Sequence, residues 1–330
     1  IGYSFIGIHT AGTGSHSVTL NTVGNATANN IAIGTLGTTT ASCSLYGIRS
    51  TATGTTISLG TLGNGNTVQN MSNYSTNAGS VFYGIFNTGA AATLNINSNT
   101  VTQNTLYGGG SASTSFYYMS IISSGNSASA INIRSNIINS SNLATASFGG
   151  LAGFISNIGA GSSSTVTISD NTLSGFNYSG ATGGTGSSSF LGIDQEASPL
   201  NVVISNNEFN NISLKNAGFT AIIYADNDAP NVTISSNFIT TAFTCTSAST
   251  AGFTGIVNVG GAGTVTTGTQ NVTNNNFTNI SINNSTATAY GILYEPGSSS
   301  TSAPTVTVSA NTLGITNTST SYLTGIFADF

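Results

Sequence analysis

The chain has 330 residues, a formal net charge of −5 and only 3% charged residues, far below the quarter usual for a globular domain. Its three basic residues, Arg49, Arg134 and Lys215, are too few for nucleic acid or an anionic membrane surface. At 38% hydrophobic the chain is too apolar for a disordered linker, yet no apolar run is long enough to span a bilayer.

Residues 1–80 are the least regular. They open on Phe5-Ile6-Gly7-Ile8, which returns as Leu45-Tyr46-Gly47-Ile48. Between and after these lie Ile31 to Gly37 and Ile57-Ser58-Leu59-Gly60-Thr61-Leu62-Gly63, read as sister stretches whose glycines turn corners. His9 and His16 stand here with few acidic or thiol partners, so they read as surface or corner residues.

From residue 81 onward the pattern becomes regular. The Gly-Ile marker continues at Phe82-Tyr83-Gly84-Ile85, Phe190-Leu191-Gly192-Ile193, Phe253-Thr254-Gly255-Ile256, Ala289-Tyr290-Gly291-Ile292 and Leu323-Thr324-Gly325-Ile326. Degenerate copies are Leu151-Ala152-Gly153-Phe154 and Phe219-Thr220-Ala221-Ile222. The run Phe116-Tyr117-Tyr118-Met119 is expected to feed the core of its own coil.

In step with this marker runs a second one, clearest as Val166-Thr167-Ile168-Ser169-Asp170-Asn171-Thr172-Leu173. Its relatives are Val202 to Phe209, Val232 to Ile239 and Val306 to Leu313, with weaker copies from Leu94, Ile131 and Gln270. Apolar and small polar residues alternate, as in a half-buried strand. Ile168, Ile204, Ile234 and Val308 are therefore expected inside, with Thr167, Val203, Thr233 and Thr307 outside. An asparagine follows three residues later at Asn99, Asn136, Asn171, Asn207, Asn237, Asn275 and Asn311. Asn tolerates the left-handed backbone, so these residues suit a corner and are expected to form a ladder of amides from coil to coil.

A repeat of about 35 residues holding three short strands reads as a parallel β-solenoid of roughly nine coils. Residues 1–330 read as one such domain. Cys43 and Cys245 would lie five to six coils apart, at about 4.8 Å per coil, too far for a disulfide. The markers resemble those of right-handed parallel β-helices of the pectin-lyase-like superfamily. More narrowly they resemble the repeat regions of very large secreted bacterial surface proteins. That resemblance implies an all-β right-handed β-helix, a place on the bacterial cell surface and a structural or adhesive role. The fold equally hosts lyases, hydrolases and epimerases, so a carbohydrate-active or polysaccharide-binding β-helix is the alternative.

Carboxylates cluster once. Asp194 and Glu196 fall in one coil, Asp226 and Asp228 in the next, and Glu295 stands alone two coils later. No Lys or Arg shares that register, so catalysis lacks its cation. A weak calcium site is the alternative to a solvated loop, and no other cofactor is implied. A flat Thr-x-Thr face is broken by Asn201-Val202-Val203. Neither Phe5 to Ile8 nor Leu323 to Ile326 is preceded or followed by a recognisable cap. The expected partners are therefore further repeats of the same protein, identical subunits end to end, or a surface polysaccharide.

Overall fold

The computed structural model describes residues 3–77, 79–107, 117–139, 142–143, 150–178, 189–215, 218–226, 228–249, 252–259, 267–284, 287–295, 304–319 and 321–328. These residues contain no helix, and the chain winds as a parallel β-solenoid of roughly 36 residues per turn. A first sheet stacks ten strands, from Tyr3–Thr10 through Ser189–Gln195 to Leu323–Ala328. A second stacks nine, from His16–Val18 through Thr165–Ser169 to Thr305–Ser309.

The remaining side differs from the expected single strand per coil. It carries two short segments, such as Thr100–Thr102 and Thr105–Leu106, whose ladders both run into the long strand Asn276–Asn284. The cause is a second corner. Asn70, Gln103, Gly175, Asn211 and Asn279 all take positive φ, between 50 and 67°.

The second sheet follows its sequence pattern. Ile168, Ile204 and Ile234 are buried and paired in register, while Thr167, Val203 and Thr233 lie on the other, half-exposed face. Val308, in the last strand of this sheet, is only half-buried and packs against the same core. Truncating one of the enclosed isoleucines to alanine costs about 2–5 kcal/mol in cores of this density.

The Gly-Ile marker has a steric origin. A Cβ on Gly192 would lie 2.5 Å from the Ile222 carbonyl oxygen and 3.0 Å from the Phe209 ring; one on Gly47 would meet Val68 at 2.4 Å. The first sheet thus approaches the opposite wall too closely for a side chain. Gly192 and Gly255 share their coils with Phe209 and Phe277, whereas Phe154 and Ile222 share theirs with Leu173 and Ile239. Strand pairing puts Phe154 and Ile222, not Gly153 and Ala221, beside Gly192. The two degenerate markers are therefore shifted by one residue from their expected alignment. Phe116 lies outside the described residues, but Tyr118 is fully buried and donates its hydroxyl to the Asn104 carbonyl at 3.0 Å.

The asparagines form a continuous ladder. It includes all seven expected residues and extends backward through Asn66 to Asn21. From Asn21 to Asn275, each Nδ2 donates to the Oδ1 of the ladder asparagine in the next coil, at 2.8 to 3.1 Å. The same Oδ1 accepts a backbone N–H from that earlier asparagine at 2.9 to 3.2 Å. From Asn66 onward, the second Nδ2 hydrogen goes to a carbonyl of the preceding coil at 2.8 to 3.0 Å. Both donors and both acceptor sites of a mid-ladder amide are therefore used.

Two expectations about this corner need correcting. The left-handed residue is not the asparagine but its predecessor: Ser98, Ser135, Asp170, Asn206, Ser236, Asn274 and Ala310 have φ of 54 to 58°. That twist turns the asparagine inward. In residues 1–80 the asparagine is displaced rather than replaced. Gly60, at φ 90°, turns the corner, a short Thr61–Asn64 bridge is inserted, and Asn66 then rejoins the ladder. Ile31–Ile33 is no sister of Ile57 to Leu59, because it pairs with Met71–Asn73 on the other side of the coil.

Candidate functional site

Outside the core, the first sheet carries a second apolar layer. Tyr83, Met119 and Ile122 are buried together there, with Tyr46, Val81, Phe86 and Leu151 packed on them. Leu191, Ala221 and Val257 continue the layer in later coils. Tyr46, Tyr83 and Phe86 stack with centroids 4.9 to 5.7 Å apart, and the Arg49 guanidinium lies 5.3 Å from the Tyr46 ring centre.

Beside this layer a groove of about 340 Å³ opens. Its apolar wall is Tyr83, Phe86, Met119, Ile122, Leu151 and Ile158, and its polar end is Ser124, Ser156, Asp194 and Glu196. The two carboxyl groups thus enter it from Ser189–Gln195 and the residue just beyond.

Asp194 is enclosed. Its Oδ2 accepts the Ser156 hydroxyl at 2.9 Å from the coil before, while its buried Oδ1 has no hydrogen-bond partner. Burial, then the nearby Glu196, raise its pKa from 3.8 to about 8 against the lowering effect of Ser156, with Asp226 adding to the rise. At neutral pH it is mostly a neutral acid. Glu196 is exposed, and burial of part of its carboxyl with the neighbouring Asp226 still pushes its pKa upward. Asp226 follows Ala225, which pairs with Gln195, so it stacks beside Glu196 and accepts the Tyr224 hydroxyl at 3.1 Å. Burial and then Asp226 hold the Tyr224 hydroxyl well above its ordinary range.

The structure therefore brings Asp194, Glu196 and Asp226 within electrostatic reach. Asp228 is not among the charges that act on Asp194 or Glu196; its backbone N–H donates to Ser198 Oγ at 3.2 Å. Among the described residues no three acidic, histidine or cysteine side chains converge as a group able to hold a metal. The four acids do not fit a calcium site. One basic residue does share the register, against expectation: Arg49 heads the column Phe86, Ile122, Ser156 and Asp194, but four coils from the acid, while Arg134 lies 3.6 Å from Asp170 on the second sheet and Lys215 is exposed beyond Ile212–Leu214. Cys43 and Cys245 are free and buried, and burial raises both thiol pKa values, that of Cys245 to about 11.

The apolar wall was missed in the sequence, although a signal existed. Runs such as Val81-Phe82-Tyr83 and Tyr118-Met119 are apolar on consecutive residues, the mark of a strand covered on both faces. Comparison of the chain with protein-family models, with curated proteins and with solved structures returns no match.

Proposed function

We propose that this chain is a stiff structural segment of a secreted bacterial cell-surface protein, of the pectin-lyase-like β-helix type, serving as a rod, stalk or adhesive scaffold. Its partners are further coils of the same kind or identical subunits joined along the axis. One observation carries the reading. The amide ladder crosslinks the corner of successive coils from Asn21 to Asn311 with its mid-ladder amides saturated, which favours a corner that resists bending and shear. The resemblance of the repeats to surface-protein regions supports the location.

The test is mechanical. Held between two handles in force spectroscopy, the chain should resist as a series of coils and lose much of its plateau force when Asn171 and Asn237 are both changed to alanine. An unchanged force would remove the rod reading. The alternative of a polysaccharide-binding or polysaccharide-cleaving β-helix has the groove in its favour. A glycan array with the intact chain, followed by chromatography of any bound glycan, separates binding from cleavage.

A further inference from the structure

We propose that the groove on the outer face of the first sheet binds a small amphipathic organic cation. Its ammonium head sits at Asp194 and Glu196, and its apolar body lies on Phe86, Met119, Ile122 and Leu151. Three independent observations lead there. The groove has about 340 Å³ of space and a mostly apolar lining, within the size range of small-molecule sites. Asp194, which lines it, is fully buried and keeps one carboxylate oxygen without a hydrogen-bond partner. An orphan acceptor in such a place marks a missing donor. Lastly, Glu196 and Asp226 disfavour charge on Asp194, and among the described residues no basic side chain adjoins it: Arg49 shares its register but stands four coils earlier beside Phe86, and Arg134 pairs with Asp170.

Charge and polarity then narrow the ligand. An anion, uronates included, would add to the carboxylate repulsion. A neutral sugar would bring hydroxyl groups against Phe86, Met119 and Ile122, which cannot pair them. An ammonium group donates to the free Oδ1 of Asp194 and neutralises the cluster.

The proposal predicts a pH dependence. Asp194 faces Ser156 from the preceding coil, Tyr224 and Asp226 from the following coil, and Glu196 from its own. Of these it is Asp194 that titrates near pH 8, so binding of an ammonium should strengthen as pH rises from 6 toward that value.

The experiment is calorimetric titration of the intact chain with 2-phenylethylamine, 2-phenylethanol and 3-phenylpropionate, at pH 6 and pH 8. The expected result is saturable one-site binding of the amine, tighter at pH 8, and at least roughly tenfold weaker binding of the alcohol and the acid. Asp194→Asn should weaken the amine about tenfold or more while leaving the β-sheet spectrum intact. Ile122→Ala, which stands in the Asp194 register and nearer to it than Phe86, should weaken amine and alcohol alike. Failure of the amine to saturate by about 10 mM, equal binding of the alcohol, preference for the acid, or an unaffected Asp194→Asn variant would each overturn the proposal. The same titration with maltose distinguishes a saccharide groove: tighter binding of maltose than of the amine would also overturn it. None of these outcomes bears on the mechanical test of the rod.

Discussion

Two buried polar columns run through this solenoid, and they solve the same problem differently. One is the asparagine ladder. The other lies at the ends of the first-sheet strands, where Ser50, Asn87, Ser123, Asn157, Gln195, Ala225, Asn258 and Tyr294 succeed one another in register. Both are enclosed. The ladder repeats one residue type in one geometry, and each amide completes its neighbour. In the mixed column the side chains differ in length, so bonds are local: Asn157 reaches Gln195 at 2.8 Å, but Asn87 turns to Gly89 at 2.9 Å and Asn258 to Gln270 at 3.0 Å. Asn87 Oδ1, Ser123 Oγ and Asn157 Oδ1 are left without partners. Burial alone does not make a polar column cohesive; identity of the repeated side chain does, because an amide spans one coil spacing of about 4.8 Å only in one conformation.

Breaking the ladder should have the largest effect. Asn207→Ala removes the acceptor of Asn171 N–H and Nδ2 and the donor to Asn237 Oδ1 and the Ile168 carbonyl. With several buried groups orphaned together, the expected loss is about 3–5 kcal/mol. Chemical denaturation measures it, and hydrogen exchange should show opening centred on the adjacent coils. A loss under about 1 kcal/mol would equate the two columns.

Next in size, taken per pH unit, is the effect of Asp194, which adjoins the mixed column at Gln195. Its carboxyl titrates at about 8 in the fold against 3.8 as a free group. The folded state therefore holds a proton that the unfolded state releases between these values, and stability falls as pH rises through that window, then levels off above it. The slope should approach about 1.4 kcal/mol per pH unit at its steepest. Glu196, also shifted upward, acts in the same sense. Asp194→Asn should flatten the dependence, and melting curves from pH 4 to 9 would read it. A variant with the same slope as the parent would place the titrating group elsewhere.

The smallest effect sharpens the contrast. Asn157→Ala removes one bond to Gln195 and, with it, one unpartnered oxygen. It should cost about 1 kcal/mol by denaturation, well below the ladder substitution. A cost equal to that of Asn207→Ala would show that the mixed column is coupled after all.

The ladder was largely legible because its signal is local: an asparagine at a fixed distance after a strictly alternating strand. Asn66 escaped because an insertion at Thr61 to Asn64 broke that distance; Asn21 keeps it after Val18, but His16 stands where the alternating strand has its first apolar residue. The backbone role was misplaced by one residue because sequence shows which side chain recurs, not which φ turns it inward; Ala310 in a left-handed position carries no recognisable signature. The fourth segment was hidden likewise, since its corner is turned by residues as unlike as Gln103, Gly175 and Asn211. At the candidate site the acids were visible as a cluster. Their inequality was not, because the enclosure of Asp194 depends on Ser156 and on an apolar wall drawn from other coils.

The amide-to-amide bonds of the ladder all point the same way. From Asn21 to Asn275 each Nδ2 donates toward the higher-numbered coil. The amide dipoles therefore lie head to tail along the winding axis, and each polarises the next. A sheet contributes little net dipole of its own, so in a chain with so few charges this file of amides gives the solenoid an electrical direction, as aligned peptides do for a helix. A coil presented upside down would set oxygen against oxygen, and only one sense of stacking can extend the file.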